Sequence, residues 1–304
     1  METVLIAGAS GLIGKQLSFE LQKKGYRVIH LNRNLQPNNP IQQYRWNIQE
    51  NYIDDNAILE ADYIINLAGE GIANKRWTDK QKQLIIESRV NATLLIKESL
   101  QRTHKKIKAY ISASAIGFYG AINSETIFTE EAISSNDFLG TCCAQWESAA
   151  KEINPYAERT VIFRIGTVLS ADGGALPKLV WPIKHNIGAA IGSGKQYMPW
   201  IHIDDVCALF LQAIEQNNID GIYNAVAPEH ISNYELNKEI AESLTKKLLP
   251  IKIPTSILKL VLGEMAVLVL NGSRVSSQKI MDAGFKFKYP DFKFAITELL
   301  AFRK

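Results

Sequence analysis

A glycine-rich turn near the start of the chain limits the possible folds more than any other feature. The apolar run Thr3-Val4-Leu5-Ile6-Ala7 is typical of a buried parallel strand, and an amphipathic helix pattern follows residue 14. Between them stands Gly8-Ala9-Ser10-Gly11-Leu12-Ile13-Gly14. A plain strand-to-helix turn is one interpretation, but this context favours a dinucleotide-binding turn. Such a turn uses its first glycine for the tight bend, its second for the approach of a pyrophosphate and its third for close helix packing. We therefore predict that the cofactor-binding residues here are Gly8, Ser10, Gly11, Leu12, Ile13 and Gly14.

Strand and helix patterns alternate through the first half of the chain. Apolar runs predict strands at residues 3–7, 27–31, 63–68, 108–112 and 160–165. Repeated strand–helix units predict an α/β fold with a doubly wound parallel (Rossmann) sheet. After Gly166 the loops become glycine-rich, and the last third is mainly helical. We predict a dinucleotide-binding domain at 1–168, to which 199–226 returns, and a smaller, mainly helical domain formed by 169–198 and 227–304.

Composition narrows the class of protein. The 304 residues are 46% hydrophobic and 21% charged, as in an ordinary soluble enzyme. A net charge of +3 without a long basic run argues against a nucleic-acid partner. The longest apolar stretch, 257–270, contains Lys259 and Glu264 and is too short to span a membrane. The sequence begins without a signal-peptide pattern, and its three cysteines have neither metal-ligand spacing nor an even count. We therefore predict a cytoplasmic protein with no membrane partner and no metal.

The end of the second strand indicates which cofactor is bound. An acidic residue there would bind the ribose 2′-hydroxyl of NAD, but this chain has Asn32-Arg33-Asn34. Arg33 could pair with the 2′-phosphate of NADP, although an exposed arginine that only keeps a loop soluble is the alternative. We predict NADP as the cofactor, bound by Asn32 and Arg33. The residues Leu67, Ala68 and Gly69 end another strand at the same edge of the sheet and complete the predicted cofactor site.

Several motifs resemble those of the extended short-chain dehydrogenase/reductases, the epimerase/dehydratase superfamily. Besides the glycine turn they are Asn66-Leu67-Ala68-Gly69, Asn91-Ala92-Thr93, Ser112-Ala113-Ser114, Tyr119-Gly120 and the segment 200–205. More narrowly, residues 69–77, 192–200, 262–264 and 283–285 resemble an atypical branch described as epimerase family or sugar nucleotide epimerase proteins. The resemblance covers essentially the whole chain. It implies an NADP-binding fold with a small C-terminal domain, and it implies no particular substrate.

The chain departs from the superfamily at the expected catalytic helix. The resemblance implies a Tyr-x-x-x-Lys pair there, in which Lys lowers the pKa of Tyr and Tyr exchanges a proton with the substrate. Depending on the register, the chain has Leu139 and Cys143 or Phe138 and Cys142 at these positions. Tyr-x-x-x-Lys strings at 234–238 and 289–293 lie in the wrong structural context.

Other residues must then supply any chemistry. Ser114, or alternatively Ser112, follows the strand at the crevice and could bind a substrate oxygen, with Tyr119 or a bound water as the proton donor. A turn serine and a packed aromatic ring are the structural alternatives. His202 with Asp204 and Asp205 is better explained as a strand end and helix N-cap than as a metal site.

The predicted substrate-binding residues come from the segments that resemble the atypical branch. They are Glu70, Lys75, Arg76 and Tyr197. Cations beside Trp77 suit an anionic or planar ligand, although this loop could simply pack at the start of a helix. We predict an NADP-dependent oxidoreductase or epimerase-like enzyme for a small polar or anionic substrate. The alternative is a catalytically silent NADP-binding protein that regulates a partner or senses redox state, and a homodimer is left open.

Overall fold

The computed structural model describes residues 1–301, so positions 302–304 of the predicted second domain lie outside the described residues. The strands are β1 (Thr3–Ala7), β2 (Arg27–Asn32), β3 (Gln42–Asn47), β4 (Tyr52–Ile53), β5 (Tyr63–Asn66), β6 (Ile107–Ala115), β7 (Ile127–Phe128), β8 (Ala157–Ile165), β9 (Thr167–Ser170), β10 (Gly173–Gly174), β11 (Ala190–Ile191), β12 (Trp200–His202), β13 (Gly221–Ala225), β14 (Lys252–Ile253) and β15 (Arg274–Val275). The α-helices are α1 (Leu12–Lys23), α2 (Asp55–Glu60), α3 (Asp79–Thr103), α4 (Phe138–Lys151), α5 (Leu176–Lys184), α6 (Ile203–Glu215), α7 (Asn233–Ser243), α8 (Thr255–Leu262), α9 (Val267–Leu270), α10 (Gln278–Asp282) and α11 (Phe292–Ala301).

The main sheet confirms the predicted doubly wound arrangement. Its strand order is β13-β8-β6-β5-β1-β2-β3-β4, and every neighbouring pair is parallel except β3 with β4. The chain moves outward from β1 in both directions, so the switch point lies between β1 and β5. In open α/β sheets ligands bind outside the carboxyl ends of the strands at such a point. The loops after β1, β2, β5 and β6 are therefore the ones expected to bind a ligand.

Side chains alternate between the two faces of the sheet and form a separate core on each. On β1, Val4 and Ile6 pack with α1 and α6, whereas Leu5 and Ala7 pack with α2 and α3. Both sets are buried, which explains why the sequence of β1 is a continuous apolar run rather than an alternating one.

The chain after β8 builds a smaller unit and also returns to the main sheet. A third core joins α5, α7 and α11 around Trp200 and Phe292. In contrast, α6 packs on the first core and β13 pairs with β8. Strand β12 pairs with β9 in a separate three-stranded sheet. Within residues 1–301 no helix is long and apolar enough to cross a membrane.

The start of α6 differs in one detail from the expected cap. His202 is itself the N-cap, and its Nδ1 accepts a hydrogen bond from the Asp204 N–H at 3.1 Å. Asp204 and Asp205 lie in the first helical turn, where the helix dipole favours a negative charge. Asp205 also accepts the N–H groups of Lys288 and Tyr289, so it ties α6 to the C-terminal segment.

Candidate cofactor and substrate site

Each glycine of the turn between β1 and α1 has a different steric environment. Gly8 has a φ of +83°, and a Cβ there would lie 2.7 Å from the Leu67 backbone. A Cβ at Gly14 would lie 2.5 Å from the Gly8 carbonyl oxygen, so glycine is needed for α1 to pack this closely. Gly11 has an ordinary extended backbone, and a Cβ there would meet only the Gly8 oxygen, at 3.3 Å. The protein's own packing thus requires Gly8 and Gly14 much more than Gly11, which leaves the approach of a ligand as the reason for Gly11.

The first turn of α1 is open to an anion. Gly11 is its N-cap and provides no side-chain hydrogen bond, and the turn contains no acidic residue. The N–H groups that begin a helix have no partner within it, and the helix dipole adds positive potential there. Leu12 and Ile13 are the first residues of this helix. The turn therefore offers the donors that a pyrophosphate needs.

A cavity of about 480 Å³ joins this turn to the ends of three further strands. Among the predicted cofactor-binding residues, those that line it are Gly8, Ser10, Asn32, Arg33, Ala68 and Gly69. The predicted substrate residue Glu70 lines it too. The other wall of the cavity was not predicted from the sequence, and it is formed by Trp46, Asn47, Ile48 and Gln49 at the end of β3 and by Ser88 and Asn91 of α3. The alternating sequence Gln42–Asn47 was the available signal for that wall.

The other predicted cofactor residues lie beside this cavity rather than on its surface. Gly11 and Gly14 belong to the turn itself, and Ile13 and Leu67 pack against the core on the α1 face. Leu12 lines a second cavity, of about 270 Å³, together with Gly173 and Gly174 of β10. The side chains of Ile13 and Leu67 therefore support the turn, and Leu12 also contacts the β9–β10 hairpin.

Arg33 is exposed on the wall of the large cavity. Within residues 1–301 its guanidinium has no carboxylate within ion-pair distance, and its neighbours Asn32 and Asn34 are uncharged. A free cation at the end of β2, with no acidic residue beside it, suits a phosphate and does not favour a bare ribose hydroxyl. The donor set of the cavity therefore fits a dinucleotide that carries a 2′-phosphate.

The two predicted catalytic residues lie in a buried polar network. Ser114 Oγ donates to Glu147 Oε1 at 2.7 Å, and Tyr119 Oη donates to Asn224 Oδ1 at 2.6 Å. Arg164 joins the two halves, because it pairs with both Glu147 oxygens at 2.8 and 2.9 Å and donates to Tyr119 Oη at 3.1 Å. All five side chains are at most 3% exposed. Register explains their meeting, since Ser114, Arg164 and Asn224 are neighbours on β6, β8 and β13.

This network differs from the expected arrangement, in which both hydroxyls face the crevice. Neither Ser114 nor Tyr119 lines the cavity, and each hydroxyl is satisfied by a protein partner. Burial raises the pKa of Tyr119 above its ordinary value, so its proton is held more tightly. The roles predicted for them require the network to open, and they stay predictions.

The helix α4 carries thiols where the superfamily resemblance implies Tyr and Lys. Leu139, Cys142 and Cys143 are all buried. Burial raises the pKa of Cys143 to about 12 and also raises that of Cys142. Both thiols are therefore protonated at neutral pH and are poor nucleophiles.

The predicted substrate residues are dispersed. Lys75 is exposed on the loop before α3, whereas Arg76 donates to the carbonyls of Leu260 and Val261 at the end of α8. That contact stabilises a helix C-terminus and ties the loop to the C-terminal domain. Tyr197 Oη donates to Glu125 Oε2 at 3.3 Å, away from the cavity. Of the four, the structure brings only Glu70 to the cavity wall.

Comparison with known proteins agrees with this architecture. The NAD dependent epimerase/dehydratase family matches residues 4–225, and a domain of unknown function, DUF1731, matches residues 253–299. Epimerase family protein YfhF of Bacillus subtilis is 34% identical over 304 residues, covering 99% of each chain.

Two solved structures are similar over nearly the whole chain. The human epimerase family protein SDR39U1 (isoform 2) with NADPH has a TM-score of 0.88 and 27% identity, covering 98% of this chain and 99% of that one. A nucleoside-diphosphate sugar epimerase from Corynebacterium glutamicum has a TM-score of 0.81 and 31% identity, covering 99% of this chain and 58% of the other. With its glycine turn, its sheet order and these matches, the chain belongs to the NAD dependent epimerase/dehydratase family.

Proposed function

We propose that the protein is an NADP-dependent oxidoreductase or epimerase-like enzyme that acts on a small polar substrate. The observation that carries this proposal is Arg33, which has no ion-pair partner within residues 1–301 and lies on the wall of a cavity that Gly8 and Ser10 of the glycine turn also line. The human relative whose structure is described with NADPH adds support, because it is similar over nearly the whole chain. A bound nicotinamide would supply hydride transfer, chemistry that no protein side chain provides.

The residues of this chain would each have a separate task in binding. The first N–H groups of α1 would hold the pyrophosphate, and Gly11 would leave room for it. Arg33 would pair with the 2′-phosphate, and the Trp46–Gln49 wall would enclose the adenosine half of the cavity. The substrate would lie on the other side of the switch point, near the ends of β5 and β6.

A catalytically silent NADP-binding protein is the second candidate, and one observation favours it. The positions of α4 at which Tyr and Lys are expected hold an apolar residue and a protonated thiol, and the Ser114 and Tyr119 hydroxyls are held in a buried network. In that case the closed network would be structural, and cofactor binding would itself be the regulated event.

Cofactor titration tests the proposal directly. We expect the wild-type protein to bind NADP more tightly than NAD in isothermal titration. The Arg33→Ala variant should lose about 1.5–3 kcal/mol of NADP binding, the range for a hydrogen bond to a charged group, and little NAD binding. Arg45→Ala is a matched control, because Arg45 is exposed and pairs with Glu50 outside the cavity. Equal losses for the two cofactors, or a wild-type preference for NAD, would contradict the proposal.

A screen for turnover then separates the two candidates. NADPH oxidation against panels of small carbonyl compounds should reveal activity if the protein is an enzyme. Tight NADP binding without turnover on any panel would favour the regulatory candidate.

A further inference from the structure

Arg89 is a charged residue on the buried side of α3. It lies one helical turn after Ile85 and one before Thr93, both of which are buried. Thr93 Oγ1 accepts from Asn66 Nδ2 at 3.1 Å, which fixes this part of α3 at the carboxyl end of β5. The Arg89 side chain is half-buried and extends toward the same end. A Cβ on Gly69 would lie 3.0 Å from its Cζ.

The guanidinium is almost without protein partners. In residues 1–301 its one hydrogen bond goes to the Ile85 carbonyl of its own helix, at 2.8 Å, and its Cζ lies 5.2 Å from the centre of the Trp146 ring. No carboxylate in that part of the chain lies within ion-pair distance, although the charge of Glu70 acts on Arg89 from farther away. Burial lowers the pKa of Arg89 from its ordinary value, although an arginine keeps its charge in proteins. Desolvating a half-buried cation with several free N–H donors costs free energy unless an anion accepts hydrogen bonds from it.

Three other arginines of the chain have more hydrogen-bond partners than Arg89. Arg164 is fully buried and pairs with both oxygens of Glu147, and Arg159 donates to the carbonyls of Ala213 and Ile219. Arg76 donates to the carbonyls at the end of α8. Each of these is satisfied by residues distant in the sequence, whereas among residues 1–301 the Arg89 guanidinium hydrogen-bonds only within its own helix.

The position of Arg89 is on the substrate side of the switch point. It lies against Gly69 at the end of β5 and next to α4, whose Cys143 thiol approaches the turn after β6. Arg33 marks the adenosine side, beyond β1 and β2. An anion at Arg89 would therefore lie at the β5 end of the crevice, and a 2′-phosphate at Arg33 would lie at the β2 end.

We propose that Arg89 binds a carboxylate of the substrate, so that the substrate is a small monocarboxylate. The inference rests on the proposed function, and it specifies the substrate class for the same crevice. Arginine recognises a carboxylate with two parallel hydrogen bonds. A single cation matches a single negative charge. The neighbouring Lys82 is paired with Glu264, so it does not act as a free second cation for a phosphate.

Binding measurements on the full-length protein test the proposal without a known substrate. The probes are acetate, pyruvate and benzoate, with the neutral pyruvamide and with inorganic phosphate, titrated at constant ionic strength. Each titration is run with and without saturating NADP, so failure of cofactor binding and failure of carboxylate binding are seen separately. We expect at least one monocarboxylate to bind the wild type more tightly than both pyruvamide and phosphate.

Three variants locate the binding site. Arg89→Met should weaken monocarboxylate binding by about tenfold or more and change NADP affinity by less than about twofold. Arg89→Lys keeps the positive charge and the aliphatic part of the side chain but cannot form two parallel hydrogen bonds to a carboxylate. It should therefore fold normally and bind monocarboxylates more tightly than Arg89→Met but less tightly than the wild type. Arg102→Met removes a cation from the exposed end of the same helix and should have no effect.

Two results would overturn the proposal. One is equal monocarboxylate affinity in the wild type and in both Arg89 variants, including the case in which none binds. The other is a loss of NADP affinity in Arg89→Met with unchanged carboxylate binding, which would assign Arg89 to the cofactor.

Discussion

The two halves of the crevice use their polar groups in opposite ways. At the ends of β1 and β2, Arg33 lines an open cavity with no carboxylate of residues 1–301 within ion-pair distance, and the first N–H groups of α1, beside that cavity, have no partner within their helix. On the other side, Arg164, Glu147 and Ser114 bond to one another and exclude solvent. Unpaired donors at a cavity wall indicate a site whose partner is a ligand, whereas a fully satisfied buried network indicates a part of the core. Arg89 is the exception on the second side, because no carboxylate of residues 1–301 lies within ion-pair distance and its guanidinium donates only to the Ile85 carbonyl of its own helix.

Removing Glu147 should have the largest effect on the folded state. Glu147→Ala leaves the charge of Arg164 buried without a counter-ion, so we expect a loss of about 3–5 kcal/mol in the free energy of unfolding. Denaturant unfolding followed by circular dichroism measures it. Glu152→Ala, which breaks the exposed pair with Lys97 at the end of the same helix, should cost about 1 kcal/mol or less. Similar losses in the two variants would mean that the network is not part of the core.

The glycine turn offers the next largest effect, this time on ligand binding. Gly11→Val should weaken NADP binding by about a hundredfold or more with a normal fold, because its side chain occupies the space left for the pyrophosphate. Gly8→Ala should instead destabilise the protein, because alanine is strained at a φ of +83° and would meet the Leu67 backbone. Titration and thermal unfolding of both variants check the contrast. Unchanged NADP affinity in Gly11→Val would show that the turn does not hold a pyrophosphate.

Ser114→Ala should have a smaller effect and separates the two interpretations of the network. The Ser114 bond to Glu147 is charge-assisted, but Arg164 still bonds the same carboxylate, so we expect a loss of about 1.5 kcal/mol in stability. If the serine also positions a substrate oxygen, turnover should fall about tenfold or more on any substrate that the screen reveals. A stability loss with full turnover would make Ser114 purely structural.

The sequence predicts the parts of the fold that depend on local patterns and does not predict contacts between distant segments. The parallel sheet and the glycine turn come from local patterns, because a strand buried on both faces must be continuously apolar. Strand β3 was missed, since only Tyr44 and Trp46 of its alternating sequence are buried. The buried polar network could not be predicted from local sequence patterns. Tyr119 and Asn224 are 105 positions apart, and the strand order of the sheet brings them into contact. Arg76 likewise bonds Val261, 185 positions away.

The thiols of α4 should show the smallest effect. Cys142→Ala and Cys143→Ala should change NADP affinity by less than about twofold, because neither thiol lines the cofactor cavity and both are protonated. The pKa of Cys143 is about 12 in the folded protein, against 9.0 for an ordinary thiol. Its contribution to stability is therefore fully present below pH 9 and falls as the pH rises toward 12, since the unfolded chain loses this proton first. Iodoacetamide should label native Cys143 far more slowly than the unfolded chain at pH 8. Rapid labelling of the native protein, or loss of turnover in the Cys143→Ala variant alone, would transfer the chemistry of the second half of the crevice from the hydroxyls to the thiol.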